Sequence, residues 1–151
     1  MNIFLDKVIE ENKDTLYRLL QYSLFEESLN DENEMNNNGI FEYKNYNNYF
    51  TDNDKYAFFI REENTNKLLG FVMINNSNGH RIEEFMITPK YRNNKIGKKA
   101  AFICFNMFKG NWEITPSFGS EQAYNFWKKV IDEYTNNKNE FIDGTFKFNN
   151  I

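Results

Sequence analysis

The stretch "EEFMITPKYRNNKIGKKAAFICF", Glu83 to Phe105, decides the fold. Its first residues continue "RIEEFMITP", a β-strand stopped by Pro89, because proline cannot donate to a ladder. A basic turn follows. Five cations, Lys90, Arg92, Lys95, Lys98 and Lys99, surround a single glycine, Gly97, with no acid among them. From Gly97 to Phe108 the chain is apolar nearly all round, which predicts a buried helix. The first N–H groups of a helix lack internal partners, and the helix dipole adds partial positive charge there. Successive N–H groups in a tight turn form a nest for anions. Gly97 has no Cβ, so a bulky anion could approach the backbone. Such a place suits a pyrophosphate; a solvated, lysine-rich helix start reads the same way. A P-loop is excluded by the missing GxxxxGK[ST], and the dinucleotide fingerprint by the single glycine.

Working outward, "YAFFIREENTNKLLGFVMINN" is two apolar runs around "EENTN", a hairpin signal. Tyr56 to Ile87 therefore reads as a three-stranded antiparallel meander. Upstream, "NIFLDKV" predicts a first strand. Ile9, Leu16, Leu20, Ser23 and Leu24 recur at helical spacing, predicting a helix from Glu10 to about Ser28. "NDENEMNNNGIF" is a loop, and Tyr43, Tyr46 and Tyr49 at i, i+3, i+6 suggest a short helix. Downstream, "NWEIT" is a short strand. Ser120 is an N-cap for a helix whose inner face is Ala123, Phe126, Trp127, Val130, Ile131 and Tyr134. "FIDGTFKF" closes the sheet.

The chain of 151 residues suits one domain with one core, and sixteen Phe can fill it. The Asn clusters read as turns. One cysteine, Cys104, excludes an internal disulfide and fits a reducing compartment; it stands in the most apolar helix and is expected to pack as a small hydrophobe. No segment reaches a membrane span of roughly 20 apolar residues, and "MNIFLDKVIEENKD" lacks the pattern of a signal peptide. A cytoplasmic protein is expected. The net charge of −4 argues against general nucleic-acid binding, so any basic site must be local. With one Cys and one His (His80, after a turn and expected to be exposed), Cys and His alone supply no metal cluster.

The opening stretch resembles the acetyl-CoA-binding segment of the GCN5-related N-acetyltransferases (GNAT), in which Arg or Gln, two residues, Gly, one residue and Gly or Ala follow a strand that ends near proline. Here Arg92, Asn93, Asn94, Lys95, Ile96 and Gly97 stand in that order, with Lys95 at the first glycine. "FKGNWEIT" and "SEQAYNFWKKVIDEYT" are similar to the family's fifth strand and fourth helix, and within the family to a group of predicted acetyltransferases. "FEYKNYNNYF" and "LLQYSLFEES" extend the likeness over nearly the whole chain.

The resemblance implies a mixed α/β (α+β) fold over residues 1–151: a mostly antiparallel central sheet flanked by helices, with splayed fourth and fifth strands. It implies acetyl transfer from acetyl-CoA to a primary amine by direct attack. The partners would be acetyl-CoA and an amine-bearing acceptor, with no metal, nucleic acid or membrane, in a monomer or homodimer. Coenzyme contacts would come from Arg92, Asn93, Asn94, Lys95, Ile96, Gly97 and Lys98 for the pyrophosphate. Met86, Ile87 and Thr88 would serve the pantetheine arm and the thioester carbonyl, and Ser120, Phe126 and Trp127 would line the fourth helix. Glu84 or Glu113 would be the base. Trp127 stands where the family's acid tyrosine stands, and indole cannot deliver a proton; Tyr124 or Tyr134 could substitute. The Tyr43–Phe50 aromatics would form an acceptor wall. With that acid displaced and Lys95 in the loop, an acyl-CoA-binding module of weak activity is the alternative.

Overall fold

The computed structural model describes Met1–Ile151. In chain order the elements are β1 (Ile3–Lys7), α1 (Lys13–Glu27), α2 (Asn48–Thr51), β2 (Lys55–Glu62), β3 (Leu68–Asn75) and β4 (His80–Ile87). Then come α3 (Ile96–Met107), β5 (Asn111–Ile114), α4 (Glu121–Thr135), β6 (Glu140–Ile142) and β7 (Thr145–Asn149). The strands form one seven-stranded sheet in the order β1-β2-β3-β4-β5-β7-β6. Every neighbouring pair is antiparallel except β4 and β5. The mixed, mostly antiparallel sheet flanked by helices is the architecture the opening stretch implied.

Side chains alternate across the sheet with the strand period of two. One face, with Phe58, Val72, Ile74, Trp112, Phe146 and Phe148, packs on α3 and α4 through Ala101, Cys104, Phe105, Trp127, Val130 and Ile131. The other, with Ala57, Phe59, Phe71 and Met73, packs on Leu16, Leu20 and Leu24 of α1 and on Phe41 and Tyr49. Burial of Cys104 pushes its thiol up to about 12, as befits a packing residue.

Local chemistry sets the turns. The Ser120 side chain accepts the Ala123 N–H at 3.1 Å and starts α4. Asp143 and Gly144, both at positive φ, make the tight β6–β7 turn. The 43–49 helix does not form as expected. Asn45 turns left-handed at φ 64°, and only Asn48–Thr51 is helical. His80 is not exposed. Its ring nitrogens lie 2.9 Å from Asn76 Oδ1 and 2.8 Å from the Lys109 carbonyl, joining its turn to the end of α3. No helix is long and apolar enough to cross a membrane.

Two irregularities shape β4. Ile82 pairs with Ile74 and Glu84 with Met73, which leaves Glu83 as an extra, bulged residue. A bulge breaks the alternation of the strand at this point, and Glu83 is exposed with its carboxylate accepting from Asn75 at 2.8 Å. Beside it, a Cβ on Gly70 would lie 2.0 Å from the Met86 carbonyl oxygen, so only glycine lets β3 approach β4 there.

Candidate active site

β4 and β5 pair only at His80↔Trp112 and Arg81↔Glu113. Beyond Arg81 the edge of β4 is free of β5, and the two strands open into a gap. Backbone groups alternate along a strand. The Met86 carbonyl lies against Gly70, and the Thr88 N–H donates to the Leu69 carbonyl at 2.8 Å. These two groups therefore lie on the β3 side of β4. Ile87, between them, turns its N–H and C=O toward the gap, and Phe85 does the same by the same alternation.

The basic turn closes the end of this gap. Arg92 Nε donates to the Ile87 carbonyl at 2.8 Å, and its terminal nitrogen pairs with Glu26 of α1 at 3.3 Å. Arg92 thus anchors the turn to β4 and α1. Asn93 and Lys95 are both left-handed, at φ 71° and 63°. Lys95 is the N-cap of α3 and adopts the conformation its glycine-preferring position demands, with no side-chain cap. No protein acceptor takes the backbone N–H of Asn93, Asn94, Lys95, Ile96, Gly97 or Lys98. This is a row of free donors at a helix N-terminus, where the dipole adds positive potential. Lys98 pairs with Glu133, Lys99 donates to the Met1 carbonyl and Lys90 lies over Tyr91. Lys95 alone of the five cations has no protein partner.

Gly97 has a different use from the one its sequence position suggests. A Cβ there would sit 2.9 Å from the Phe126 ring and 3.7 Å from Ile87 Cγ1. The glycine admits Phe126 of α4 against the start of α3. Phe126 in turn meets Phe85 at 5.8 Å and Trp127 at 4.9 Å between ring centroids. Trp127 is buried edge-on against Phe85 at 5.0 Å. These three rings wall the gap on the α4 side.

On the other face of β4 lies the most perturbed acid of the protein. Burial, joined by the neighbouring Glu27, pushes the Glu84 carboxyl up to about 9. Tyr43 donates its hydroxyl to Glu84 Oε2 at 3.2 Å. Burial and Glu84 together hold that hydroxyl in its neutral, donating form, and Tyr49 beside it is likewise pushed up by burial first. Glu27, the last residue of α1, is itself pushed up by burial, and its charge adds to the upward push on Glu84. Ser117, in the loop after β5, reaches Glu27 Oε1 at 3.5 Å. Sequence reasoning missed Glu27, though a signal existed. It continues the stripe Leu16, Leu20, Ser23, Leu24 at helical spacing, a carboxylate on the inner face of an amphipathic helix.

The remaining candidates stand elsewhere. Glu113 lies at the closed end of the gap, where its carboxylate is held by Arg81 at 2.8 Å and Lys147 at 3.4 Å. Tyr134 gives its hydroxyl to Asn106 at 2.8 Å and receives Asn150 at 3.2 Å. Asn106 is ten residues into α3, about 15 Å along it from the basic turn at 1.5 Å per residue, so Tyr134 is far from the gap. Tyr124 packs between Phe141 and Phe146 of the β6–β7 hairpin. Ser120 spends its oxygen on the helix cap. Neither tyrosine is placed to supply an acid at Ile87.

Comparison with known proteins bears on this arrangement. The family model described as "Acetyltransferase (GNAT) family" matches residues 17–130. Among curated proteins, none matches the sequence. Among solved structures, a GNAT-family acetyltransferase of Staphylococcus aureus Mu50 is 14% identical, with TM-score 0.60, covering 98% of this chain and 99% of that one. Spermidine N-acetyltransferase from Vibrio cholerae, in complex with CoA and spermine, is 11% identical with TM-score 0.63, covering 97% and 95%. The PaiA N-acetyltransferase of Thermoplasma acidophilum, in complex with coenzyme A, is 16% identical with TM-score 0.62, covering 99% and 100%. At these identities the likeness is one of fold.

Proposed function

The chain belongs to the acetyltransferase (GNAT) family, an acyltransferase family, and from that premise we propose that it moves an acetyl group from acetyl-CoA to a primary amine by direct attack. The observation that carries this reading is the row of free backbone N–H groups from Asn93 to Lys98, set at the mouth of the β4/β5 gap. These donors, with Lys95 as the uncommitted cation, hold the pyrophosphate. The Ile87 N–H faces the gap and polarises the thioester carbonyl as negative charge develops on its oxygen. Phe85, Phe126 and Trp127 exclude water from the coenzyme arm. The whole chain, residues 1–151, serves as one acyl-CoA-binding domain.

The acceptor enters from the Glu84 side. A lysine-like amine is protonated below about pH 10.4, so attack requires a group to take its proton. Glu84 is half-buried and held by Tyr43, whereas Glu113 is paired with two cations; Glu84 is the base. Tyr43 and Tyr49 form the acceptor wall next to it. The two CoA-bound solved structures support a coenzyme A co-substrate. A single cysteine and no disulfide fit a reducing, cytoplasmic setting.

A thermal-shift titration with acetyl-CoA tests the grip. Ligand at a hundredfold over Kd adds about 2.7 kcal/mol, and no shift at millimolar coenzyme removes the reading. An amine panel then tests transfer. Binding without transfer to any amine, and without coenzyme hydrolysis, would leave an acyl-CoA-binding module.

A further inference from the structure

Residues 33–44, in the long connection between α1 and α2, send no main-chain hydrogen bond to any helix or strand. Side chains fix this segment instead, and they converge on Phe41. Gln21 of α1 donates from Nε2 to the Phe41 carbonyl and accepts the Phe41 N–H on Oε1, each at 2.8 Å. Tyr17, one turn earlier on α1, adds its hydroxyl to the same carbonyl at 3.3 Å. Further along, Tyr46 donates its hydroxyl to the Lys13 carbonyl at the start of α1. Tyr43 therefore hangs between two ties to one helix, and its own hydroxyl donates to Glu84 Oε2 at 3.2 Å. A main-chain N–H and C=O need an acceptor and a donor together, and the glutamine amide supplies both. Exposure alternates along Phe41, Glu42 and Tyr43, which are buried, exposed and half-buried in turn. This is the period of two of an extended chain, so the side that Phe41 faces decides the side that Tyr43 faces. A slip by one residue would turn the Glu42 carboxylate toward Glu84, setting like charges together.

We propose that Gln21 is a positioning residue for acetyl transfer: by gripping the Phe41 main chain it holds the Tyr43 hydroxyl on the Glu84 carboxyl. The inference rests on the acetyl-transfer reading above, with Glu84 as the base. Tyr43 takes up Oε2, which leaves Oε1 for the acceptor. A protonated amine gives one proton to Oε1, so that one N–H bond breaks, one O–H bond forms, and the nitrogen electron pair is freed for attack. The bond from Tyr43 also favours the ionised carboxylate, the form that accepts a proton. Other groups act on the Glu84 carboxyl as well: Glu27 from α1, Glu83 from β4 and Tyr49 from α2. None of them hydrogen-bonds to Gln21 or to Phe41, so a substitution at Gln21 reaches Glu84 through Tyr43. In the sequence Gln21 reads as one more polar residue of an amphipathic helix. Its partner stands twenty residues away, and only the packing of the Phe41 ring in the α1 core brings the two together.

The test crosses Gln21→Met with Tyr43→Phe in the full-length protein, the double variant closing the cycle. Two quantities are read. One is the titration of the Glu84 carboxyl, followed as the infrared C=O band that Glu84→Gln removes. The other is the acid limb of the kcat/KM profile for acetyl transfer to a primary amine. Gln21→Met keeps the bulk of the side chain and removes both bonds to Phe41. It should raise both midpoints by roughly half a pH unit or more, the order of what one hydrogen bond to a carboxylate contributes, and leave the KM for acetyl-CoA unchanged. Tyr43→Phe should raise them at least as far, and Gln21→Met should add nothing in that background. Gln21→Leu, which also lacks both bonds, should give the same pattern. A shift of equal size in both backgrounds, or a shift in neither, overturns the positioning role while acetyl transfer stands. If the infrared cycle comes out as expected but wild type transfers acetyl to no amine, the tie from Gln21 to Tyr43 stands and the acetyl-transfer reading falls.

Discussion

Replacing the proposed base, Glu84, should make this protein more stable at alkaline pH even as it removes activity. In the folded chain Glu84 keeps its proton up to about pH 9, against an ordinary value of 4.5. Between those values the folded state binds more protons than the unfolded state, so stability falls as pH rises. From pH 5.5 to 8.5 the slope of about 1.4 kcal/mol per pH unit integrates to about 4 kcal/mol for one fully shifted group. Glu84 is partly open to solvent, so about half of that, ~2 kcal/mol, is expected. With a urea m-value of about 1–3 kcal/mol/M, the unfolding midpoint of wild type should fall by roughly 1–2 M across this range. Glu84→Gln keeps the shape and the Tyr43 hydrogen bond but cannot ionise. Its midpoint should match wild type near pH 5.5 and exceed it near pH 8.5, while acetyl transfer drops by about 100-fold or more, the usual worth of a general base. The comparison cancels every other titrating group. Parallel pH slopes in the two proteins would refute a proton held at Glu84.

Three further outcomes follow from the backbone around the gap. Lys95→Gly relieves a left-handed residue and should stabilise by about 1 kcal/mol, yet weaken acetyl-CoA binding several-fold; Lys95→Ala should show only the weakening, as calorimetry and thermal melts can check. Gly97→Ala drives a methyl into the Phe126 ring and should reduce acetyl-CoA affinity, and Phe126→Leu in the same chain should recover part of it, a non-additive pair measurable by a double-mutant cycle. Gly70→Ala puts a methyl against the Met86 carbonyl, so β3 and β4 must part beside the site; a loss of about 2 kcal/mol or more in urea unfolding is expected.

The fold was legible because its signals were local. The strand–Pro–basic turn–helix order, the "EENTN" hairpin and the Ser120 cap each follow from a few adjacent residues, and each lies where its chemistry says. The turn before α3 was legible as a break before a buried helix, and Lys95 there adopts the left-handed backbone that the glycine-preferring position asks for. The acid–base site was not. Glu27 is fifty-seven residues from Glu84 in sequence, and only the packing of α1 on β4 joins them. The bulge at Glu83 interrupts the strand period just before Glu84, and no local signal in the sequence marks it. Tyr134 shares a helix face with Trp127, but seven residues of α4 set the two about 10 Å apart along it. Gly97 was read for what could approach it from solvent; that Phe126 also packs on it from α4 could not be read from adjacent residues.

The brevity of the β4–β5 pairing also bears on how the molecule assembles and breathes. Two residue pairs are all that stitch β1–β4 to β5, β7 and β6 within the sheet; the rest of the union is side-chain packing beneath α3 and α4. The first four strands make only near-neighbour hairpins apart from β1, low-separation pairings that form early. The C-terminal segment then has to dock across a seam with little backbone bonding of its own. Such a seam is where sub-global opening concentrates, and amide exchange should run faster in β5–β7 than in β2–β4. An acyl-CoA lying in the opening would lace the two segments together, so that substrate binding hardens the half of the protein that hydrogen bonding leaves loosest.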